Sequence, residues 1–112
     1  MCIRDRSPDV PTVRLGGSDL QIGAISYGCW RLADGDLETA TTNVCTALDQ
    51  GFTLIDTADI YGFDGSSGFG AAELLLGRML ARTPGLRDRM VLAHKGGIRP
   101  GGPPDGGGDN QR

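Results

Sequence analysis

Gly51-Phe52-Thr53-Leu54-Ile55-Asp56-Thr57-Ala58-Asp59-Ile60-Tyr61-Gly62 is the stretch from which the fold is read. Phe52 to Ile55 are apolar, aromatic or β-branched and follow a glycine, which predicts a short buried strand. Asp56 to Tyr61 then turns polar, with a carboxylate at the expected strand end and a tyrosine five residues later. A carboxylate, a phenol and a lysine from elsewhere in the chain are the parts of a proton-transfer site.

Working outward, helix and strand signals alternate. Before the stretch, Leu37, Ala40, Val44, Ala47 and Leu48 recur at three- and four-residue steps. They follow an Asp34-Gly35-Asp36 cap signal and stop at Gly51, which predicts an amphipathic helix. Earlier still, Gly23 to Trp30 reads as a strand. Val13 to Ile22 has two short apolar arms around Gly16-Gly17-Ser18-Asp19, a hairpin signal. After the stretch, Phe63 to Gly70 reads as a flexible loop. Ala71 onward, AAELLLGRMLA, is rich in helix formers, with Leu75, Leu76, Met79 and Leu80 on adjoining faces. Thr83-Pro84-Gly85 ends that helix, Leu86 to Arg89 holds at most a turn, and Met90 to His94 is a short apolar strand with Lys95 at its end.

The two ends differ from the middle. Residues 1–9, MCIRDRSPD, have no periodicity and read as a disordered tail, similar to translated sequencing-adapter sequence and set aside from the fold. Residues 10–98 form the structured part. Residues 99–112 continue a Gly/Pro-rich loop with no new periodic element.

The order hairpin, β, α, β, α, β predicts βαβ units and a parallel sheet. A doubly wound open sheet and the beginning of a (β/α)8 barrel share that pattern, and a barrel takes about 250 residues. In both, chemistry sits at the C-terminal ends of the strands, where Trp30, Asp56 and Lys95 fall.

Composition excludes several classes. The 112 residues carry eleven Lys plus Arg against fourteen Asp plus Glu, with no basic run, which argues against nucleic-acid binding. No apolar run reaches a membrane span and no secretory signal pattern is present, so the expectation is a cytoplasmic protein. Cys2, Cys29 and Cys45 are scattered, with no C-x-x-C and one histidine, which argues against zinc. An odd number of scattered cysteines suits reduced thiols better than a disulfide framework. Gly68-Phe69-Gly70 begins like a dinucleotide fingerprint, but Glu73 stands at the third glycine position and a loop separates it from the strand, so it reads as a helix start.

Singly, Asp56, Asp59, Tyr61 and Lys95 each read as ordinary strand-end or surface residues. Jointly they do not. Adjacent parallel strands put Asp56 and Lys95 roughly 5 Å apart in backbone terms. An ammonium beside a phenol stabilises the phenolate, and a carboxylate holding the ammonium fixes its place. Neighbours along a strand point to opposite faces, so a Lys95 facing the site turns His94 toward the helices or the surface. Trp30 either flanks a flat ligand or covers the rim.

Residues Val13 to Pro100 resemble the N-terminal third of an aldo/keto reductase. LGGSDLQIGAISYGCWRL resembles that family's bottom hairpin and first barrel strand, and DTADIYG its Asp-Thr-Ala-x-x-Tyr-Gly signature. Glu73 and Gly77 fit the Glu-x-x-x-Gly of its next helix, and LAHKGGI places Lys95 on its lysine strand. YGCWRL and LRDRMVLAHKGGI are similar to a bacterial oxidoreductase branch.

The resemblance implies a (β/α)8 barrel of which this chain is the N-terminal portion. It implies an NADPH (NADP)-dependent oxidoreductase passing hydride to a small aldehyde or ketone. Tyr61 would donate the proton, Lys95 would favour its phenolate, and Asp56 would pair with Lys95. Cys29, Trp30 and Asp56 would lie at the nicotinamide. A fourth catalytic residue, a histidine, would come from a following strand, so the isolated 112 residues are expected to be inactive. A second reading is a regulatory or partner-binding barrel that senses cofactor state, and a third is a small open-sheet module with an unrelated binding function.

Overall fold

The structure, a computed structural model, describes residues 10–99 and 109–110. The chain opens with an antiparallel hairpin, β1 (Thr12–Arg14) against β2 (Gln21–Gly23), as the arms around Gly16-Gly17 predict. Three parallel strands follow: β3 (Tyr27–Gly28), β4 (Leu54–Ala58) and β5 (Val91–Lys95), in the order β3-β4-β5. Helix α1 (Leu37–Asp49) connects the first pair and α2 (Ala71–Arg82) the second.

That strand order is shared by the two architectures left open above. Consecutive strands lie side by side without reversal, and both helices share one core cluster with the central strand. One half of a doubly wound sheet runs in the same consecutive order, its reversal lying between the two halves. A barrel winds onward in one direction with all helices outside, and the described residues follow that plan.

α1 begins where Asp36 accepts the Thr39 N–H at 2.8 Å. The Thr39 hydrogen bonds hold the Asp36 carboxyl below the usual carboxylate range. Its buried face is Ala40, Val44, Cys45, Ala47 and Leu48. On α2 the buried face is Ala72, Leu76 and Met79, with Leu75 and Leu80 partly covered and Leu74 66% exposed. Ile55, fully buried on β4, packs between the helices. At the end opposite the strand tips, Arg89 meets Asp49 at 2.6 Å and ties the approach to β5 to the last residue of α1.

The central strand differs from its sequence reading. It spans Leu54–Ala58 rather than Phe52 to Ile55, and so runs through Asp56 and Thr57. Main-chain pairing on both edges outweighs side-chain polarity: Ile55 and Asp56 pair with Tyr27 and Gly28, while Leu54 to Ala58 pair with Val91 to Lys95. The strand expected to reach Trp30 is two residues long, although the Cys29 N–H still bonds the Asp56 carbonyl at 2.8 Å. The Leu86 to Arg89 turn is a single 3-10 turn, Arg87–Arg89.

Cys29 is a free, buried thiol, whereas Cys45 is disulfide-bonded, which corrects the expectation of reduced thiols at that position. The reading of residues 1–9 as a disordered tail lies outside the described residues, as does 100–108 of the Gly/Pro-rich loop. The described ends of that loop pair as a short antiparallel ladder, β6 (Ile98–Arg99) with β7 (Asp109–Asn110).

Candidate active site

β4 and β5 bring the candidate pair together. Ala58 lies opposite Lys95 and Asp56 opposite Ala93, so Asp56 and Lys95 share one sheet face two steps apart in register. The lysine stem reaches back over that offset. Its Nζ donates to Asp56 Oδ1 at 2.8 Å, to Oδ2 at 2.9 Å and to the Thr57 carbonyl at 3.1 Å. Three acceptors, two of them on one carboxylate, thus face the ammonium.

Tyr61 is placed by the turn after β4. Its N–H bonds the Ala58 carbonyl at 3.3 Å and its own carbonyl accepts the Ala72 N–H at 3.1 Å, joining the turn to the first residues of α2. The intervening loop is closed rather than loose. Asp64 Oδ1 accepts the Ser66 and Ser67 N–H groups at 2.9 and 2.8 Å, and Phe63 meets Phe69 edge-on. These bonds hold the Asp64 carboxyl below its ordinary range. Gly68, at φ +92°, lets the loop return against the Gly62 carbonyl, where a Cβ would overlap that oxygen. The loop carries the Tyr61 ring under Lys95, whose Nζ stands 4.8 Å from the ring centroid.

Trp30 packs edge-on against Tyr61 with centroids 5.1 Å apart, and stays 66% exposed. Trp30, Ala58, Asp59, Ile60, Tyr61, Lys95 and Gly96 line a cleft of about 300 Å3. A larger hollow of about 460 Å3 lies among Asp36, Thr41 and Arg82, away from the strand tips. It offers charged and hydroxyl groups with no proton donor paired to a base, so the strand-tip cleft is the candidate site.

The profile of the Aldo/keto reductase family matches residues 24–111. The chain belongs to the aldo/keto reductase family. Among characterised relatives, the 6-dehydroglucose reductase of Novosphingobium aromaticivorans is 52% identical over 101 residues, covering 88% of this chain and 33% of that protein. The 6-dehydroglucose reductase of Agrobacterium fabrum is 40% identical over 90 residues, 76% of this chain and 28% of the relative. Among solved structures, the holo form of aldo-keto reductase AKR11C1 from Bacillus halodurans superposes with a TM-score of 0.64 at 29% identity, covering 91% of this chain and 30% of that one. The fold is therefore the N-terminal portion of the family's (β/α)8 barrel. The chain spans about a third of the length of the curated relatives it matches.

In this aldo/keto reductase chain Asp56 pairs with Lys95, and Tyr61 and Trp30 line the same cleft as Lys95. Cys29 is separated from it by packing: its side chain is fully buried in the core. Burial and the nearby Asp56 charge push its thiol up to about 11, against a smaller opposing effect of Lys95. It is no thiolate near neutral pH, and its part in any ligand contact is confined to the main chain. His94 turns away from Lys95 as alternation predicts, and its Nε2 lies 2.6 Å from Glu73 Oε1 on α2. Sequence reasoning placed Glu73 in a motif but missed this partner, since no local signal joins residues 21 apart. No described helix is long and apolar enough to cross a membrane.

Burial pulls the Lys95 ammonium down, but the hydrogen bonds and charges of Asp56 and Tyr61 outweigh it and leave the group raised. A raised lysine stabilises the fold fully below its unfolded value of about 10.4, and that contribution is lost as pH rises through the higher folded value. The thermal midpoint of the full-length protein should therefore exceed that of Lys95→Met at pH 9, and the gap should close well above pH 10.4. A gap constant across that range would show that the ammonium's partners contribute no stability.

Proposed function

We propose that the full-length protein carrying this chain is a cytoplasmic NADPH-dependent reductase that converts an aldehyde or ketone to the alcohol, and that residues 10–98 are the N-terminal part of its barrel. The single observation that carries this reading is the Lys95 ammonium, clamped by both oxygens of Asp56 and poised over the Tyr61 ring in an open cleft. A structural ion pair has no need of a phenol and a cavity beside it.

The cleft fits the reacting end of a nicotinamide cofactor. Trp30, Ile60 and Ala58 offer apolar walls, while Asp59, Tyr61 and Lys95 supply the polar groups, with Asp56 bound to Lys95 as its ion-pair partner. Trp30 would flank the ring, Asp56 would face it through the lysine it holds, and Cys29 would contribute main chain alone. Lys95 is the one cation among the described lining residues and is already engaged by Asp56. The cofactor's phosphates would therefore be held by other parts of the protein. When bound, the cofactor supplies a hydride to the carbonyl carbon.

The chain's own residues handle the proton. The Tyr61 hydroxyl donates to the carbonyl oxygen as negative charge develops there. The phenolate left behind is stabilised by the adjacent Lys95 ammonium and is reprotonated from solvent. Asp56 keeps that ammonium in place and balances its charge, so the field acts on Tyr61 before and after transfer.

Both 6-dehydroglucose reductases point to a sugar aldehyde as substrate, with no nucleic acid or membrane partner required. The test is turnover of the full-length protein with NADPH and with NADH against sugar aldehydes and simple aldehydes. NADPH oxidation matched by alcohol formation is expected. Cofactor binding without turnover of any carbonyl would favour a regulatory barrel that senses cofactor state.

A further inference from the structure

Lys95 must be held to within about 0.5 Å for its ammonium to serve both Asp56 and Tyr61. It is the last residue of β5, followed directly by Gly96 and Gly97, which offer no side chain to anchor it. On one edge, Asp59 N–H bonds the Lys95 carbonyl at 3.1 Å. Toward the helical layer, a side-chain contact meets the strand tip. His94, adjacent to Lys95 and on the opposite face, brings Nε2 within 2.6 Å of Glu73 Oε1 on α2.

The same helix also sets Tyr61. Ala72, the residue before Glu73, donates its N–H to the Tyr61 carbonyl at 3.1 Å. The first turn of α2 thus touches the proton donor through Ala72 and the strand of the lysine through Glu73. His94 is the chain's single histidine and Lys95 its single lysine, side by side.

We propose that Glu73 and His94 are positioning residues, a strut from α2 that fixes the tip of β5 so that the Lys95 ammonium stands over Tyr61. This rests on the acid-base reading of Tyr61 and Lys95 given above. Neither residue touches the cleft, whose lining excludes both. Both side chains are well exposed, at 50% for His94 and 38% for Glu73, and an ion pair at that exposure adds little to global stability. The contribution is therefore to placement, where a displacement of about 1 Å costs on the order of a hundredfold in rate.

The experiment compares Glu73→Leu and Glu73→Gln in the full-length protein. Glu73→Leu should lower kcat by roughly tenfold or more while KM for the carbonyl and the thermal midpoint stay close to the parent values. Glu73→Gln keeps an oxygen acceptor for the His94 N–H and should recover most of that loss. Equal kcat in the parent and Glu73→Leu, equal losses in both variants, or a collapse of the thermal transition in Glu73→Leu would each overturn the proposal. The Lys95 side-chain NMR titration, assigned by its disappearance in Lys95→Met, needs no turnover. It should move down toward an ordinary lysine in Glu73→Leu as Nζ leaves Asp56 and Tyr61, and an unmoved titration would overturn the strut. A parent protein that reduces no carbonyl would sink the functional reading, and the titration would still decide the strut.

Discussion

Tyr61→Phe in the full-length protein should lower kcat for carbonyl reduction by about 10²–10⁴-fold, the range typical of losing a general acid, while cofactor affinity is kept. The substitution is selective because the ring does the packing. Trp30 meets the ring edge-on and Lys95 stands over the ring centroid, and a phenylalanine preserves both contacts. The main-chain bonds to Ala58 and Ala72 that place residue 61 are also untouched. What is removed is the hydroxyl that would donate to the carbonyl oxygen. Single-turnover kinetics with tight-bound cofactor would separate this from slow product release. Undiminished turnover in Tyr61→Phe would sink the proton-donor assignment, whatever the family.

The second large effect is on stability. Gly23→Ala should destabilise the fold by about 2–3 kcal/mol, combining overpacking with a lost hydrogen bond. Gly23 ends the hairpin and is buried where the chain passes Gly51, just before β4. A Cβ at residue 23 would overlap the Gly51 carbonyl oxygen. Main chain cannot rotate aside as a flexible side chain can, so the hairpin has to shift. That shift breaks the bond from Gly23 N–H to the Thr53 hydroxyl, now 2.9 Å long. Gly17→Ala is the control, because nothing lies within 4 Å of its added methyl. Denaturant midpoints of the two variants should differ clearly, and equal midpoints would show that the hairpin end is freely adjustable.

Much of the architecture was legible in local patterns. Leu37 to Leu48 and Ala71 to Ala81 have the helical period, and the helices observed there run Leu37–Asp49 and Ala71–Arg82. The motif Asp56-Thr57-Ala58-Asp59-Ile60-Tyr61 with Lys95 located the cleft because the spacing of a strand end and its following turn is a local matter. The central-strand reading failed for a non-local reason: its polar half is held by ladders to β3 and β5, which composition does not display. The loop from Phe63 to Gly70, which reads as flexible by its glycines, carries turn bonds to Asp64 and an edge-on Phe63–Phe69 contact.

The sequence by itself determined the alternation of helix and strand, and its motifs carried the resemblance to the family. The alternation follows from periodicity, which is a property of neighbours along a chain. The tertiary structure alone decided that Lys95 is chelated by both oxygens of Asp56, that Cys29 is sealed in the core, and that His94 leans on Glu73. Each of these depends on strand register and helix placement, which bring together residues that are tens of positions apart and that no local pattern connects.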